Sequence, residues 1–565
     1  MSQRASGLTA RSSTLIYIRP ILGRTAIMRI ETRSLRRTSG FFTMAVVSVL
    51  GVAACTSGTP SGSSKPGPTA LAVAAATVPV DVDPSVYSSG DQVYYGSNFL
   101  STLMTFKKPT STSALPTSAD VTGELASSWK IKPNGIEFTL RSTKSSAGNP
   151  LTAEDVVYTY QRAAALKDKV SPVLLGAAGF NTTNPVTAVD DHTVMFNGKP
   201  NSISLSVLTV ALPGVLDQVE VKAHANASDP WAKDWLATHS ASFAPYQVAS
   251  LVPSQSLSLT GNTNYFRGEP AYKSVLLRAI SDSSTRLQLL KSGQVDWARS
   301  LAPTDQASVK GASGLTSIIS PSASSVNLRA DGHNPLLANV KIRQAISYAL
   351  DRTAIAAGPY QNLATVPTGY LTGIDPGPAG GLNATANVAK AKQLLSDAGY
   401  PTGINLTLSS TTADIQATGG SSQAVGVLIA SQLKQAGITL TLDSVASRST
   451  LLAGIAANSY QLTYNVVGPL VPDPAYAASL FYASTGTSVT VTIPQVDDLV
   501  SQALTQAVGT ADRSNTLKNL SDVLINNMPQ IPVVTAAHYE AMKSSINGYL
   551  PYPGDVVYFD WSQAA

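Results

Sequence analysis

The second half of the chain shows two hydrophobic periodicities, one typical of strands and one typical of helices. Residues 404–408 and 438–442 alternate apolar with polar positions, as half-buried strands do. Between them, apolar residues recur at helical spacing, at Val425, Leu428, Ile429 and Leu433. Gly437 follows this helix directly, and glycine readily adopts the left-handed conformation that ends a helix. A strand, a helix and a strand with short connections form a βαβ unit, so we predict an α/β fold.

More helices are predicted on the N-terminal side of this unit. One of them ends at Gly399, and its apolar face comprises Val388, Ala391, Leu394, Leu395 and Ala398. Another passes through Ile342, Ile346, Ala349 and Leu350. The first half of the chain has shorter strands, such as residues 136–140, and more turns. About 500 residues beyond the N-terminal segment are too many for one hydrophobic core, so we expect two or three lobes.

An apolar run at residues 41–54 follows several arginines and ends at Cys55, the only cysteine in the chain. The run is too short to span a bilayer, and small residues precede its end. These features are typical of a secretory signal peptide, which we predict at residues 1–54. Residues 55–70 are rich in glycine, serine and proline, so we expect a flexible tether there.

Residues 52–55, Val-Ala-Ala-Cys, resemble the lipobox of bacterial lipoproteins, in which the cysteine is acylated and becomes the mature N-terminus. The resemblance implies lipidation at Cys55 and a location at the outer face of the cytoplasmic membrane, in the cell envelope. Two simpler readings exist: an ordinary signal peptide with a chance cysteine, or a buried free thiol. A lone cysteine at the one position that a lipobox requires, followed by a tether, favours lipidation.

The formal net charge of +5 suggests a nucleic-acid binder, but the basic residues are unevenly placed. Residues 1–54 hold eight arginines against one glutamate, which leaves 31 basic and 33 acidic residues in the rest of the chain. The remainder therefore carries a small negative charge, and the electrostatic argument for nucleic acid fails. A single cysteine also excludes an internal disulfide.

Short motifs follow one another through most of the chain, at residues 124–129, 135–141, 150–158, 244–246, 264–268, 290–296, 342–352, 389–400 and 432–438. In this order they resemble the large extracytoplasmic solute-binding proteins of bacterial ABC importers, the family 5 group of peptide- and nickel-binding type. The resemblance begins near residues 82–84 and runs to the C-terminus. Several of these motifs are typical of structural positions. In the motif at residues 150–158, for example, Thr152 and Asp155 have the spacing of a capping box.

The resemblance implies a two-lobed α/β fold of the periplasmic-binding-protein type (type II, with an extra subdomain) and a ligand cleft between hinged lobes. The implied first lobe combines residues 71–97, 240–325 and 528–565. Residues 98–239 form a subdomain on it, and residues 326–527 form the second lobe.

The family resemblance also implies that the protein binds a solute without catalysing a reaction. A lipid-anchored monomer would capture a peptide-like solute by lobe closure and deliver it to a membrane permease that works with ATPase subunits, and it would need no cofactor. One alternative is the same fold binding a non-peptide solute, such as an oligosaccharide or a metal chelate. Another is an envelope sensor or interaction lipoprotein that is not coupled to import.

Two segments contribute to the cleft in the family's peptide-binding members. The first matches residues 87–91 and offers Ser88, Ser89 and Gly90. The second matches residues 464–474 and continues into the next helix; its candidates are Tyr464, Asn465, Gly468, Leu470, Asp473 and Tyr476.

The family's amine-binding aspartate falls on Leu470 in this chain. Leucine cannot pair with an ammonium group, and burying an unpaired ammonium is costly. Either the ligand has no α-amine held there, or the register shifts by three and Asp473 binds the amine. If the register holds and the aspartate is absent, Tyr464, Asn465 and Tyr476 offer stacking and neutral hydrogen bonds, which suit blocked peptides, uncharged solutes or sugars.

Motifs of enzymes are missing from the sequence. It contains neither a Gly-x-Ser-x-Gly elbow nor a Gly-x-x-x-x-Gly-Lys-Ser/Thr phosphate loop. Residues 127–130 match Ser-x-x-Lys by letter, but a strand follows and no Lys-Thr-Gly motif accompanies them. The five histidines are scattered singly, so we expect no metal site.

Overall fold

The computed structural model describes residues 69–86, 90–111, 116–370, 381–412, 414–486, 489–546, 549–552 and 556–559. The predicted signal peptide, Cys55 and the tether up to residue 68 lie outside these residues. The candidates Ser88 and Ser89 lie outside them as well.

Sixteen strands and seventeen α-helices form within the described residues. The strands are β1 (Ala70–Ala75), β2 (Met104–Phe106), β3 (Val121–Gly123), β4 (Ala126–Lys132), β5 (Gly135–Leu140), β6 (Val186–Asp190), β7 (Thr193–Asn197), β8 (Tyr246–Val252), β9 (Ser256–Gly261), β10 (Ser274–Ala279), β11 (Trp297–Ala298), β12 (Leu315–Ala330), β13 (Ile404–Ser410), β14 (Ile438–Ser444), β15 (Leu462–Val467) and β16 (Gln530–Lys543). The helices are α1 (Gly90–Gly96), α2 (Ala153–Ala165), α3 (Ser171–Ala177), α4 (Ser204–Val207), α5 (Gln218–Ala223), α6 (Lys233–Leu236), α7 (Ser283–Lys291), α8 (Pro303–Val309), α9 (Pro335–Ala338), α10 (Val340–Ala349), α11 (Arg352–Ala357), α12 (Val388–Asp397), α13 (Ser422–Gln435), α14 (Arg448–Ala456), α15 (Pro474–Phe481), α16 (Pro494–Thr505) and α17 (Ala511–Asn527).

One ten-stranded sheet runs through most of the described chain, in the order β14-β13-β15-β12-β16-β11-β1-β10-β9-β8. We call the half from β11 to β8 the first lobe, and the half from β14 to β15, with helices α9 to α17, the second lobe. A separate four-stranded sheet, ordered β4-β5-β7-β6, forms the subdomain together with helices α2 to α6. The predicted α/β class is confirmed.

Two long strands connect the lobes. β12 has 16 residues and β16 has 14, and they pair antiparallel along most of their length. β12 pairs on its other side with β15, whereas β16 pairs with β11. The β12–β16 register shifts between Pro321 and Ser325 and again between Val326 and Asn327. A shift in register interrupts the ladder of hydrogen bonds and increases the local twist, so bending is easiest there. We call β12 and β16 the hinge strands.

The βαβ unit predicted from hydrophobic periodicity is confirmed. β13 and β14 pair in parallel, and α13 lies between them in sequence. The two predicted helix stops also hold, because Gly399 has φ +92° and Gly437 has φ +88°, in the left-handed region.

The lobes have separate hydrophobic cores. In the second lobe, side chains of β12 to β15 pack with helices α10 to α13, as Leu328, Ile346 and Ile429 illustrate. The subdomain core includes Phe138 and Phe196, and a third cluster around Trp297 fills the first lobe. The predicted lobe boundaries remain a proposal, which this arrangement supports.

The motif residues connect these parts. Thr152 is the N-cap of α2, and the backbone nitrogen of Thr152 donates to the Asp155 carboxylate at 2.8 Å, as the capping box predicts. Glu124, which precedes β4, accepts from the Tyr265 hydroxyl and from Arg267, each at 2.6 Å. These two bonds join the subdomain to the first lobe.

A buried ion pair joins the segment after β1, at Asp83, to the subdomain. Arg162 of α2 donates to both carboxylate oxygens of Asp83 at 2.6 Å, and neither side chain is exposed. Arg162 also donates to the Trp231 carbonyl at 2.8 Å. Such bidentate pairs fix geometry as well as charge.

Candidate functional site

Tyr464, on β15, belongs to the core of the second lobe. Its side chain is 3% exposed, and its hydroxyl donates to the Ser422 carbonyl at 2.9 Å. Burial raises the pKa of Tyr464 well above its ordinary value. Packing and one hydrogen bond therefore hold this candidate between β15 and α13.

Asn465 lies on the face of β15 opposite to Tyr464, where its side chain belongs to a network of hydrogen-bonded amides. Its Nδ2 donates to Gln530 Oε1 at 3.0 Å, and Asn327 Nδ2 donates to the same oxygen at 3.4 Å. Asn327 also donates to the Tyr482 hydroxyl at 3.4 Å. The network lies where β15, β12 and β16 run side by side, at the second-lobe end of the hinge strands. Sequence reasoning missed Asn327 and Gln530 because each lies far along the chain from Asn465.

Gly468 follows β15 and lies against the side chain of Ser324. A Cβ atom at this position would lie 2.4 Å from the Ser324 hydroxyl oxygen. Ser324 lies in the stretch where the hinge-strand register shifts. A side chain at residue 468 would therefore push against the bent part of β12.

Leu470 and Tyr476 pack against the subdomain although they belong to the second lobe. Leu470 is partly buried against the subdomain core, and Tyr476 is fully buried in it with Val471. The Tyr476 hydroxyl has no hydrogen-bond partner among the described residues, and burial raises its pKa. The segment from Leu470 to Tyr476 is thus a contact between the second lobe and the subdomain.

Asp473 is the N-cap of α15, and its carboxylate is fully engaged. Oδ1 accepts from the backbone nitrogens of Ala475 at 2.9 Å and Tyr476 at 3.2 Å. Oδ2 accepts from Arg513 at 2.6 Å and from the Ser118 hydroxyl at 2.9 Å. A ligand ammonium would have to displace one of these partners.

Arg513, on α17, forms hydrogen bonds with several elements that surround the Asp473 carboxylate. It is 3% exposed and donates to the carbonyls of Ala503 and Gln506 and to the Ser202 hydroxyl. Ser118 and Ser202 precede and follow the subdomain sheet, whereas Asp473 and Arg513 belong to the second lobe. We call these four residues the lobe junction.

On the first lobe, Gly90 begins α1. A Cβ atom there would lie 3.0 Å from the Tyr94 hydroxyl, so this end of the helix is crowded. Its neighbours in the predicted contact segment, Ser88 and Ser89, lie outside the described residues. The role of Gly90 as a ligand contact therefore stays a prediction.

A charged cluster that sequence reasoning missed lies beside the hinge strands. Arg299 donates to Glu540 Oε1 at 2.8 Å and to the Tyr95 hydroxyl at 2.7 Å, and Trp297 Nε1 donates to Glu540 Oε2 at 3.2 Å. Burial raises the pKa of Tyr95 to about 12. Nothing in the sequence signals this cluster, because its members come from α1, from β11 and the residue after it, and from β16.

The described residues form neither a metal site nor a membrane span. The described side chains nowhere bring three His, Cys, Asp or Glu residues together as a metal ion would require. Within the described part of the chain, every helix is too short or too polar to cross a bilayer.

The chain matches a known family and known relatives. The family model "Bacterial extracellular solute-binding proteins, family 5 Middle" matches residues 120–489. The probable D,D-dipeptide-binding periplasmic protein DdpA of Escherichia coli K12 is 31% identical over 246 residues, which is 43% of this chain and 46% of that protein. The glutathione-binding protein GsiB of Escherichia coli O157:H7 is 22% identical over 451 residues, which covers 76% of this chain and 83% of GsiB. The alignment with DdpA thus spans less than half of either protein.

A solved structure shares the fold. The periplasmic binding protein DppA of Helicobacter pylori, in complex with the peptide STSA, superposes with a TM-score of 0.75 at 18% identity. The match covers 88% of this chain and 98% of DppA. The predicted two-lobed periplasmic-binding-protein fold is therefore confirmed.

Replacing Asp473 by alanine should destabilise the protein strongly. Arg513 would stay buried without its carboxylate, and α15 would lose its cap; breaking a buried pair on one side costs about 3–5 kcal/mol. We expect a clearly lower melting temperature in a calorimetric scan. Glu269→Ala is the control, because Glu269 pairs with Lys273 on the surface, where both side chains are more than a third exposed.

The control should change the free energy of unfolding by no more than about 1 kcal/mol. If Asp473→Ala melts like the wild type but loses binding of an ordinary tripeptide, Asp473 is an amine site and its structural role is wrong.

Proposed function

The chain belongs to family 5 of the bacterial extracellular solute-binding proteins, and on that premise we propose that it captures a peptide-like solute by lobe closure and delivers it to the permease of an ABC importer. The observation that carries the proposal is the pair of hinge strands. They link two lobes with separate cores, and their register shifts between Pro321 and Asn327. Binding alone, without a chemical step, is the proposed activity.

Closure follows from the arrangement of contacts. A solute that touches both lobes makes its full set of contacts only when the lobes are together, so it stabilises the closed form. The permease then distinguishes the closed form from the open one. The lobe junction supports this idea, because Asp473 and Arg513 of the second lobe meet serines that flank the subdomain sheet.

The known ligands in the names of these relatives favour a peptide-like solute. They describe a D,D-dipeptide binder, a glutathione binder and a complex with the peptide STSA. In this chain Leu470 stands at the amine-binding position, and its side chain packs against apolar residues of the subdomain. Asp473, the alternative amine site, already has four partners. We therefore propose a solute whose amine is blocked or absent.

A non-peptide solute remains the second candidate, and the same leucine favours it. A sugar or another uncharged compound needs no ammonium partner and could use the amide network of Asn465, Asn327 and Gln530. Of the predicted contacts, we keep Ser88, Ser89 and Gly90 on one lobe and Asn465, Gly468 and Leu470 on the other. Tyr464, Asp473 and Tyr476 are buried within the protein and are not kept.

We further propose that the protein is exported and anchored by lipid at Cys55. The sequence of residues 41–55 supports this proposal, as does membership of an extracellular family. An anchor at the outer face of the cytoplasmic membrane would keep the binding protein close to its permease.

Leu470→Asp should strengthen binding of peptides that have a free α-amine. A carboxylate at this position would pair with the ammonium group, which the wild type leaves without a partner. Calorimetric titration with trialanine and with N-acetyl-trialanine measures the effect. We expect the wild type to bind trialanine weakly and the variant to gain about tenfold or more for trialanine only.

Leu470→Asn is the matched control, since it adds polarity without charge. Tight binding of trialanine by the wild type would contradict the assignment of Leu470 to the amine position.

Cys55→Ser should release the protein from the membrane fraction. Serine cannot carry the thioether-linked lipid, and stable anchoring needs about two acyl chains. Metabolic labelling with a fatty-acid analogue, followed by fractionation, measures both effects. Equal labelling of wild type and variant would show that the lipobox assignment is wrong.

A further inference from the structure

The two faces of the hinge strands carry different contacts. Tyr539 and Glu540 are neighbours on β16, so their side chains lie on opposite faces of the sheet. Glu540 accepts from Arg299, whose guanidinium also donates to the hydroxyl of Tyr95 on α1. Helix α1 begins at Gly90, one of the predicted ligand contacts of the first lobe. We therefore call the side of Glu540 the cleft face and the side of Tyr539 the back face.

The second lobe shows the same division. Tyr464 and Asn465 are neighbours on β15, and their side chains also lie on opposite faces. The Tyr464 hydroxyl donates to the carbonyl of Ser422, the first residue of α13, whereas the Asn465 side chain joins the amide network. The turn just before α13, residues 416–420, therefore lies away from the face that carries the proposed ligand contact Asn465.

This turn contacts the first lobe and a hinge strand on the back face. Gln416 Nε2 donates at 3.1 Å to the carbonyl of Ser281, which lies between β10 and α7. A Cβ atom at Gly419 would lie 2.5 Å from the Tyr539 ring and 3.3 Å from Cδ of Pro303, the first residue of α8. We call these five residues the back contact, because they join the second lobe to the first on the back face.

The sequence of the turn explains how it comes so close. Gly419 has φ +74°, in the left-handed region that favours glycine, and it caps the short 3-10 helix Gln416–Thr418. Tyr539 is 1% exposed, so densely packed neighbours hold its ring in place. A side chain at position 419 would thus be opposed twice, by the backbone angle and by the ring.

The back contact also lies close to the point where the hinge strands bend most easily. Pro321, where the β12–β16 register shifts, pairs with Ala537, and Tyr539 follows soon after on β16. A rotation about this stretch that brings the cleft faces of the lobes together moves their back faces apart. Closure therefore loosens the back contact, so the contact favours the open form.

We propose that the back contact opposes lobe closure and thereby sets the affinity for the solute. Closure weakens the hydrogen bond of Gln416 and the packing of Gly419 on Tyr539, and solute binding has to offset this loss. The five residues act on the equilibrium between the open and closed forms and need not touch the solute. The inference rests on the proposed function and adds a determinant of affinity outside the cleft.

Gly419→Ala tests the proposal, because its methyl group would press on the Tyr539 ring. Separation of the back faces relieves this clash, so the variant should favour the closed form, whereas the strained backbone angle affects both forms alike. We expect small-angle X-ray scattering of protein stripped of solute by unfolding and refolding to give a smaller radius of gyration than for the wild type. Gly509→Ala is the matched control, since Gly509 has φ +84° and open space around it.

Gln416→Trp is a second wedge, and it does not depend on a left-handed backbone. Its ring would push against the first lobe near Ser281, so the stripped variant should again be more compact. Gln393→Trp, at an exposed position of α12, is its control. In titration calorimetry with N-acetyl-trialanine, both wedges should bind about threefold or more tightly than their controls. A role in folding alone would lower the melting temperature without either effect.

The outcomes separate this inference from the proposed function. If stripped Gly419→Ala and Gln416→Trp have the same radius of gyration as their controls, or a larger one, the back contact does not oppose closure and the inference is wrong. If the wild type has one radius of gyration with and without solute recovered from native protein, lobe closure itself is wrong. The scattering comparison decides also where N-acetyl-trialanine binds none of the proteins.

Discussion

β12 and β16 carry the chain from the first lobe to the second and back, and their mutual hydrogen bonds hold one sheet together across both. The ladder is continuous at its two ends, where β16 pairs with β11 and β12 pairs with β15. It is irregular only in between, from Pro321 to Asn327. Bending at this irregular stretch would leave the cores around Leu328 and Trp297 intact. It would change the contact of residues 470–476 with the subdomain. Rotation of rigid parts about such a stretch is the movement that the proposed capture of a solute requires.

Buried arginines fasten the remaining parts to this frame. Arg162 binds Asp83 and so joins the segment after β1 to the subdomain. Arg513 joins the subdomain to the second lobe through Ser202 and Asp473. Each replaces lost water by several acceptors, so its burial is compensated.

Local features of the fold were predictable from sequence because they depend on nearby residues. The strand pair β13 and β14, the capping box of Thr152 and Asp155, and the stop at Gly437 all follow from periodicity and short spacings. The family motifs gave the two-lobed architecture.

The candidate site was less predictable, because its contacts join distant segments. Asp473 is identified from sequence as a possible amine site, yet its partners Ser118 and Arg513 lie 355 and 40 residues away. Tyr464 likewise reads as a polar contact until Ser422 and the core of the second lobe surround it.

Lobe closure on a solute is the central claim, and small-angle X-ray scattering tests it most directly. The comparison is between protein stripped of solute, the same protein after addition of the solute recovered from native material, and the native protein itself. Closure predicts that the radius of gyration is larger in the stripped protein and returns to the native value when the solute is added back. Identical scattering curves in all three states would contradict the account, because a rigid scaffold has no hinge to close.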